Sequence, residues 1–154
     1  MRTDSASTRP DGARPFVAGH GAVPRVLVAH TSKSLRQLVK LQLACAGYEV
    51  IVAEDAIDAG RQVLRQPPDL IVLDIEMPAL DGLEFLRSDD GLPLIPVIFL
   101  TARQEALERA TRLGAAACLT TPLATSRLLE TVARCLAAQS EARAGYRLLD
   151  RGDA

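Results

Sequence analysis

Five short apolar runs alternate with amphipathic stretches between residues 25 and 138. The runs are rich in valine, isoleucine and leucine, and their polar residues stand mainly at the ends. Runs that are apolar on both faces are typical of strands in a parallel sheet that is covered on both sides. We therefore predict strands at Arg25–Ala29, Glu49–Ala53, Asp69–Leu73, Pro96–Leu100 and Ala116–Leu119.

Between these runs, apolar residues recur at the spacing of one helical face. Gly47 and Gly114 follow two of these stripes, and glycine at such a position is a natural helix stop. The predicted helical stripes are Leu35, Leu38, Val39 and Cys45; Ala56, Ala59, Val63 and Leu64; Leu83, Phe85 and Leu86; Ala106, Leu107, Ala110 and Leu113; and Leu128, Leu129, Val132 and Leu136.

The alternation of strands and helices with short connections predicts a doubly wound α/β fold with a five-stranded parallel sheet. We expect residues 1–24 to be a flexible tail, residues 25–138 to form the domain, and residues 139–154 to be a helical or disordered extension. In doubly wound folds the functional site lies at the carboxyl ends of the strands. Those ends carry His30, Thr31, Asp74, Thr101 and Thr121.

Composition excludes several classes of function. A net charge of −1 gives no electrostatic attraction to nucleic acid or to an anionic membrane. No apolar run reaches the roughly 18 residues that a membrane span needs, and the N-terminus lacks the apolar core of a secretory signal. The three cysteines lack CxxC spacing, so we interpret them as buried small side chains in a reducing, cytoplasmic setting.

The segment after the third strand carries the most specific motif. It runs Asp69-Leu-Ile-Val-Leu-Asp74-Ile-Glu-Met-Pro-Ala-Leu-Asp-Gly82. This segment resembles the phosphoacceptor region of receiver domains of two-component response regulators, and the resemblance extends from about Arg25 to Leu136. It implies the flavodoxin-like (βα)5 receiver fold with strand order 2-1-3-4-5.

The resemblance also assigns roles to single positions. Asp74 matches the phosphoacceptor, Thr101 the switch hydroxyl, and Glu76 the residue whose backbone carbonyl helps to hold Mg²⁺. The other positions depart from the family. His30 and Thr31 stand where receivers have an acidic pair, Thr121 where they have a lysine, and Cys118 where they have a switch aromatic.

With Asp74 the sole remaining acid of the set, the site lacks the carboxylates that Mg²⁺ uses, and we expect no cofactor. The predicted function is that of a stand-alone, degenerate "pseudo-receiver" that is not an enzyme. It would bind another signalling protein, or a second copy of itself, without phosphorylation. The resemblance implies that partners contact the face made by the fourth predicted helix, the fifth strand and the last helix.

Two alternatives remain open at this point. The chain could be a single-domain regulator that a histidine kinase phosphorylates at Asp74. Alternatively, the hydroxyls and lysine of Thr31-Ser-Lys-Ser34 could hold a small anion or nucleotide at the strand ends, although Ser32 also fits an ordinary helix N-cap. Asp74 itself would either cap the following turn or pair with His30, whose pKa the carboxylate would then raise.

Overall fold

The computed structural model describes residues 23–78 and 95–152, with side chains through residue 140. The helix predicted through Leu83, Phe85 and Leu86, and the Asp81-Gly82 part of the motif, lie outside the described residues, as do residues 1–22 of the predicted tail. The elements are β1 (Arg25–Ala29), α1 (Lys33–Cys45), β2 (Glu49–Ala53), α2 (Ala56–Arg65), β3 (Leu70–Asp74), β4 (Val97–Thr101), a 3₁₀ turn (Gln104–Ala106), α3 (Leu107–Arg112), β5 (Ala117–Thr120) and α4 (Thr125–Gly152). The predicted fourth and last helices are thus α3 and α4 here.

The strands form one parallel sheet in the order β2-β1-β3-β4-β5. Val28 of β1 is level with Val52 of β2 on one side and with Val72 of β3 on the other. The α/β class, the doubly wound sheet and the strand order are therefore confirmed. β3, β4 and β5 each begin one residue later than predicted, and the other two strands have the predicted bounds.

Helices cover both faces of the sheet, which explains why the strands are apolar throughout. On one face, α1 and α4 pack against the sheet through the buried Val39, Leu43, Leu128, Val132 and Leu136. On the other face, α2 and α3 pack through the smaller Ala56, Ala59, Val63 and Ala110. Within the described part of the chain, no helix is long and apolar enough to cross a membrane.

The four predicted helical stripes that fall within the described residues were correct in position, but those of α1 and α2 were too wide. Leu38 of α1 is 47% exposed and Leu64 of α2 is 73% exposed, so neither side chain belongs to the core. Cys45 is also exposed, and Cys118 and Cys135 are half-buried, so the prediction of buried cysteines was wrong for Cys45. In α1 and α2 the core-facing side of the stripe is therefore narrower than predicted, and Leu38, Cys45 and Leu64 lie outside it.

The predicted helix ends are confirmed. Ser32 is the N-cap of α1, and its hydroxyl oxygen accepts the Leu35 N–H at 3.2 Å. Gly47 and Gly114 adopt positive φ angles of 103° and 82° after α1 and α3, where the chain must turn back toward the sheet. The Thr121-Pro122 peptide bond, which follows β5, is cis.

Candidate functional site

The carboxyl edge of the sheet brings the predicted site residues together. β1, β3 and β4 are neighbours, so the residues that end them lie side by side. Asp74, at the end of β3, is level with Leu100 of β4, and Thr101 follows directly. His30 extends the pairing of β1 with β2 by donating its N–H to the carbonyl of Ala53.

Asp74 is buried, with 5% of its surface exposed, and neutral donors satisfy both carboxylate oxygens. Oδ2 accepts the Thr31 hydroxyl at 3.2 Å, and Oδ1 accepts the Glu76 N–H at 2.9 Å. The carbonyl of Asp74 accepts the Met77 N–H at 3.1 Å and closes the turn. Asp74 therefore caps the turn that follows it, which is one of the two roles predicted for it.

His30 lies beside Asp74, but it does not form the predicted hydrogen bond. Its Nδ1 is 3.6 Å from Asp74 Oδ2 and instead accepts the Ser32 N–H at 3.0 Å. A nitrogen that accepts an N–H carries no proton, so this geometry belongs to the neutral imidazole. The Arg36 guanidinium donates to the His30 carbonyl at 2.6 Å and further fixes the backbone there.

The predicted upward shift of the His30 pKa was wrong in direction. Burial of the ring lowers the pKa of His30 below its ordinary value of 6.5, and the Arg36 charge acts in the same direction. The Asp74 carboxylate raises the pKa, but its effect is smaller than that of burial. His30 is therefore a neutral neighbour of Asp74 and not a built-in replacement for a cation.

Thr101 is buried, and its hydroxyl is engaged within its own loop. The oxygen accepts the Arg103 N–H at 3.0 Å and the hydroxyl donates to the Arg103 carbonyl at 3.1 Å, while Glu76 Oε2 lies 3.5 Å away. Within residues 23–78 and 95–140, Asp74 accepts no hydrogen bond from Thr101 or from Thr121. Thr121 instead extends the sheet, because its N–H donates to the Thr101 carbonyl at 2.8 Å.

Cys118 occupies the middle of β5, level with Phe99 of β4. The side chain packs against the cluster beneath α2 and α3, and burial raises the pKa of its thiol. A thiol is much shorter than an aromatic ring, so Cys118 cannot reach from the sheet to the outer surface as a switch aromatic would.

The residues at this edge do not fit Mg²⁺. In the described ranges, no group of three or more histidine, cysteine, aspartate or glutamate residues could hold a metal ion. Mg²⁺ prefers an octahedron of oxygen ligands, whereas Asp74 meets here a hydroxyl donor and an imidazole. The prediction that the site binds no metal remains to be tested.

One contact near the site carried no signal in the sequence. Arg109 of α3 donates from its guanidinium to the carbonyl of Ile75, the residue after Asp74, at 3.2 Å. The two residues are 34 positions apart, and no sequence pattern links an arginine to a main-chain carbonyl at that distance. At the start of α1, by contrast, the structure agrees with the ordinary N-cap interpretation of Ser32, and both Lys33 and Ser34 are exposed.

The doubly wound sheet, the aspartate at the end of β3 and the threonine at the end of β4 define a receiver-like signalling domain. Residues 26–133 match the model of the response regulator receiver domain, and the chain belongs to this family. Among solved structures, CheY4 of Vibrio cholerae matches with a TM-score of 0.64 and 32% identity over 74% of this chain and 99% of that one. NtrX of Brucella abortus matches with a TM-score of 0.77 and 26% identity over 86% of this chain and 30% of that one.

Curated relatives are longer proteins. The chain is 37% identical over 145 residues to the transcriptional regulatory protein TrcR of Mycobacterium tuberculosis. This alignment covers 87% of this chain and 55% of TrcR. It is 38% identical over 98 residues to the response regulator MprA of Mycobacterium leprae, covering 60% of this chain and 41% of MprA. The chain thus spans about half the length of the curated relatives it matches.

Proposed function

We propose that this receiver domain acts by binding another signalling protein and that its binding does not require phosphorylation of Asp74. The observation that carries the proposal is the set of neutral partners around the Asp74 carboxylate. Thr31 and the Glu76 amide hold its two oxygens, and a neutral His30 ring lies beside it. The expectation that the domain works without an output domain stays a prediction.

Phosphoryl transfer needs charge neutralisation at the transferring group, supplied in receivers by a metal ion and a lysine. Here Thr121 replaces the lysine, so one charge-assisted hydrogen bond is lost, worth about 1.5–3 kcal/mol. Without acidic partners at residues 30 and 31, the metal contribution is lost as well. Both losses act on the same transition state, and together they make Asp74 a poor phosphoacceptor.

The partner-binding surface in this proposal is the face made by α3, β5 and α4. Receivers change this face when their switch threonine moves toward a phosphoryl group. Thr101 is bound within its own loop, and Cys118 is too short to follow such a movement. The face would therefore keep one conformation, and partner binding would be constitutive.

The test combines labelling with capture. The protein is incubated with acetyl phosphate or a histidine kinase and Mg²⁺, alongside the Asp74→Asn variant, and intact masses are compared. We expect no Asp74-dependent mass increase and equal capture of cellular partners by both proteins. A phosphorylated fraction that disappears in Asp74→Asn, together with partner capture that depends on it, would overturn the proposal.

The second candidate function is a regulator phosphorylated at Asp74. It is supported by the presence of both Asp74 and Thr101 at adjacent strand ends, where phosphoryl chemistry would need them. The same labelling experiment separates the two candidates, because a working acceptor is labelled in the wild-type protein and not in Asp74→Asn.

A further inference from the structure

Arg109 differs from the other arginines in and around α3 in the kind of group that its guanidinium contacts. The exposed Arg112 and Arg103 lie 3.9 Å from acidic side chains of their own segment, Glu108 and Glu105. Arg109 instead crosses to the turn after β3 and donates to the Ile75 carbonyl at 3.2 Å. In the described part of the chain it has no carboxylate partner, and the Ile75 carbonyl is the acceptor that its guanidinium contacts there.

The acceptor belongs to a rigid turn that the Asp74 side chain itself organises. Asp74 Oδ1 holds the Glu76 N–H and the Asp74 carbonyl holds the Met77 N–H. The Ile75 carbonyl and the Glu76 N–H belong to the same planar peptide group, so a movement of this carbonyl disturbs the hydrogen bond to Asp74 Oδ1. A change at the Asp74 carboxylate should therefore change the position of the Ile75 carbonyl.

The helix at the other end of this contact is held weakly by packing. α3 has six residues, and Ala110 is the one buried residue it contributes to the core. Ala106 and Leu113, at the two ends of the helix, pack against the same cluster but are only partly buried, so the described apolar contacts of α3 are few. The hydrogen bond from the charged Arg109 donor then adds a direct link between α3 and the turn after Asp74.

We propose that Arg109 is a positioning residue that couples the turn after Asp74 to α3. The route runs from the Asp74 carboxylate through the Glu76 amide and the Ile75 carbonyl to the Arg109 guanidinium. It involves neither Thr101 nor Cys118. The coupling stands on these contacts alone, and it rests on the proposed function only where α3 is taken as part of the partner-binding face.

The test is a double-mutant comparison by NMR on the full chain. Asp74→Ala removes the acceptor of the Glu76 amide, and we expect it to shift the amide resonances of residues 107–113. Asp74→Asn keeps an oxygen for that amide and should shift them much less. In the Arg109→Met background, which keeps an unbranched stem but no donor, the effect of Asp74→Ala on these amides should fall several-fold.

Arg112→Met is the matched control, since it removes the same charge from the same helix and should leave the coupling intact. Arg109→Lys, which keeps the charge but has one compact donor group, should give an intermediate effect. If Asp74→Ala does not fold, the coupling is tested instead by amide hydrogen exchange in proteins that keep Asp74. Arg109→Met should then speed exchange in α3 and at Met77 several-fold, and Arg112→Met should not.

The proposal is wrong if Asp74→Ala shifts the α3 amides equally with and without Arg109, or does not shift them at all. It is equally wrong if Arg109→Met and Arg112→Met change exchange in α3 to the same extent. None of these readouts involves a phosphoryl donor or a partner. Failure of the coupling therefore leaves phosphorylation-independent binding standing, and phosphorylation of Asp74 would leave the coupling standing.

Discussion

Replacing Thr31 with aspartate adds a second carboxylate beside Asp74, at a position where the resemblance to receivers implies an acid, and its effect can be worked out from the geometry. The Thr31 hydroxyl donates to Asp74 Oδ2 at 3.2 Å. Thr31→Asp removes this charge-assisted hydrogen bond, a loss of about 1.5–3 kcal/mol. It also places two carboxylates about 4 Å apart, which costs about 4 kcal/mol at an effective dielectric constant near 20.

The net effect should be smaller than the sum, because Thr31 is exposed and its new carboxylate can turn toward water. We expect Thr31→Asp to lower the free energy of unfolding by roughly 2–4 kcal/mol without divalent cations. In this variant two carboxylates are available to bind Mg²⁺. Mg²⁺ should therefore raise the free energy of unfolding again, by about 2.7 kcal/mol at a concentration a hundred times its Kd. The wild-type protein should gain nothing measurable.

The assay is urea denaturation followed by circular dichroism, with and without millimolar MgCl₂ at low ionic strength. Thr31→Val is the control, since it removes the hydroxyl without adding charge. It should lose stability by the hydrogen-bond contribution alone and should not respond to Mg²⁺. If Mg²⁺ stabilises the wild-type protein as much as Thr31→Asp, or if Thr31→Asp is no less stable than Thr31→Val without metal, the reasoning about this site is refuted.

Three further predictions follow from the same structure. In cells, Asp74→Asn should leave the phenotype close to wild type, and a null phenotype from a folded, abundant variant would instead favour phosphorylation. Burial lowers the pKa of His30 below 6.5, so between its folded pKa and 6.5 the unfolded state binds more protons. The stability that the neutral ring contributes is thus complete above pH 6.5 and decreases below it; His30→Gln should flatten this decrease. An NMR titration of the wild-type protein, with His20→Gln to identify the other histidine's signal, would contradict us if the His30 midpoint lay above 6.5. Finally, Leu128→Ala should cost about 2–5 kcal/mol of stability in thermal or urea unfolding, clearly more than Leu129→Ala, because Leu128 is fully buried and Leu129 is not.

The strands could be predicted to within one residue because their environment leaves little choice of residue type. A strand of a parallel sheet that is covered on both faces buries every side chain, as β3 and β4 do here. The buried faces of the helices were less predictable, because an apolar stripe does not show which of its residues at the edge are buried. Val63 of α2 is 6% exposed while the adjacent Leu64 is 73% exposed, and both fit an apolar stripe.

At the site, the positions and the capping role of Asp74 were predictable, and the hydrogen-bond partner of His30 was not. Strand order places His30 beside Asp74 whatever their side chains do. Which group each ring nitrogen meets depends on the turn at Ser32, whose N–H points at Nδ1. That backbone direction is not encoded in the spacing of apolar residues, so the sequence could not show that the imidazole accepts the Ser32 N–H.

The separation of core and site explains how the receiver fold persists around altered chemistry. The two buried clusters contain neither His30 nor Thr31, and they contain neither Thr101 nor Thr121. Replacing acids or a lysine at these strand ends therefore removes no apolar packing. Each oxygen of the buried Asp74 carboxylate still has a neutral donor, the Thr31 hydroxyl for Oδ2 and the Glu76 N–H for Oδ1, so no unpaired buried carboxylate results. The fold beneath this edge of the sheet therefore depends on the two buried clusters and not on the charge of the residues at the strand ends.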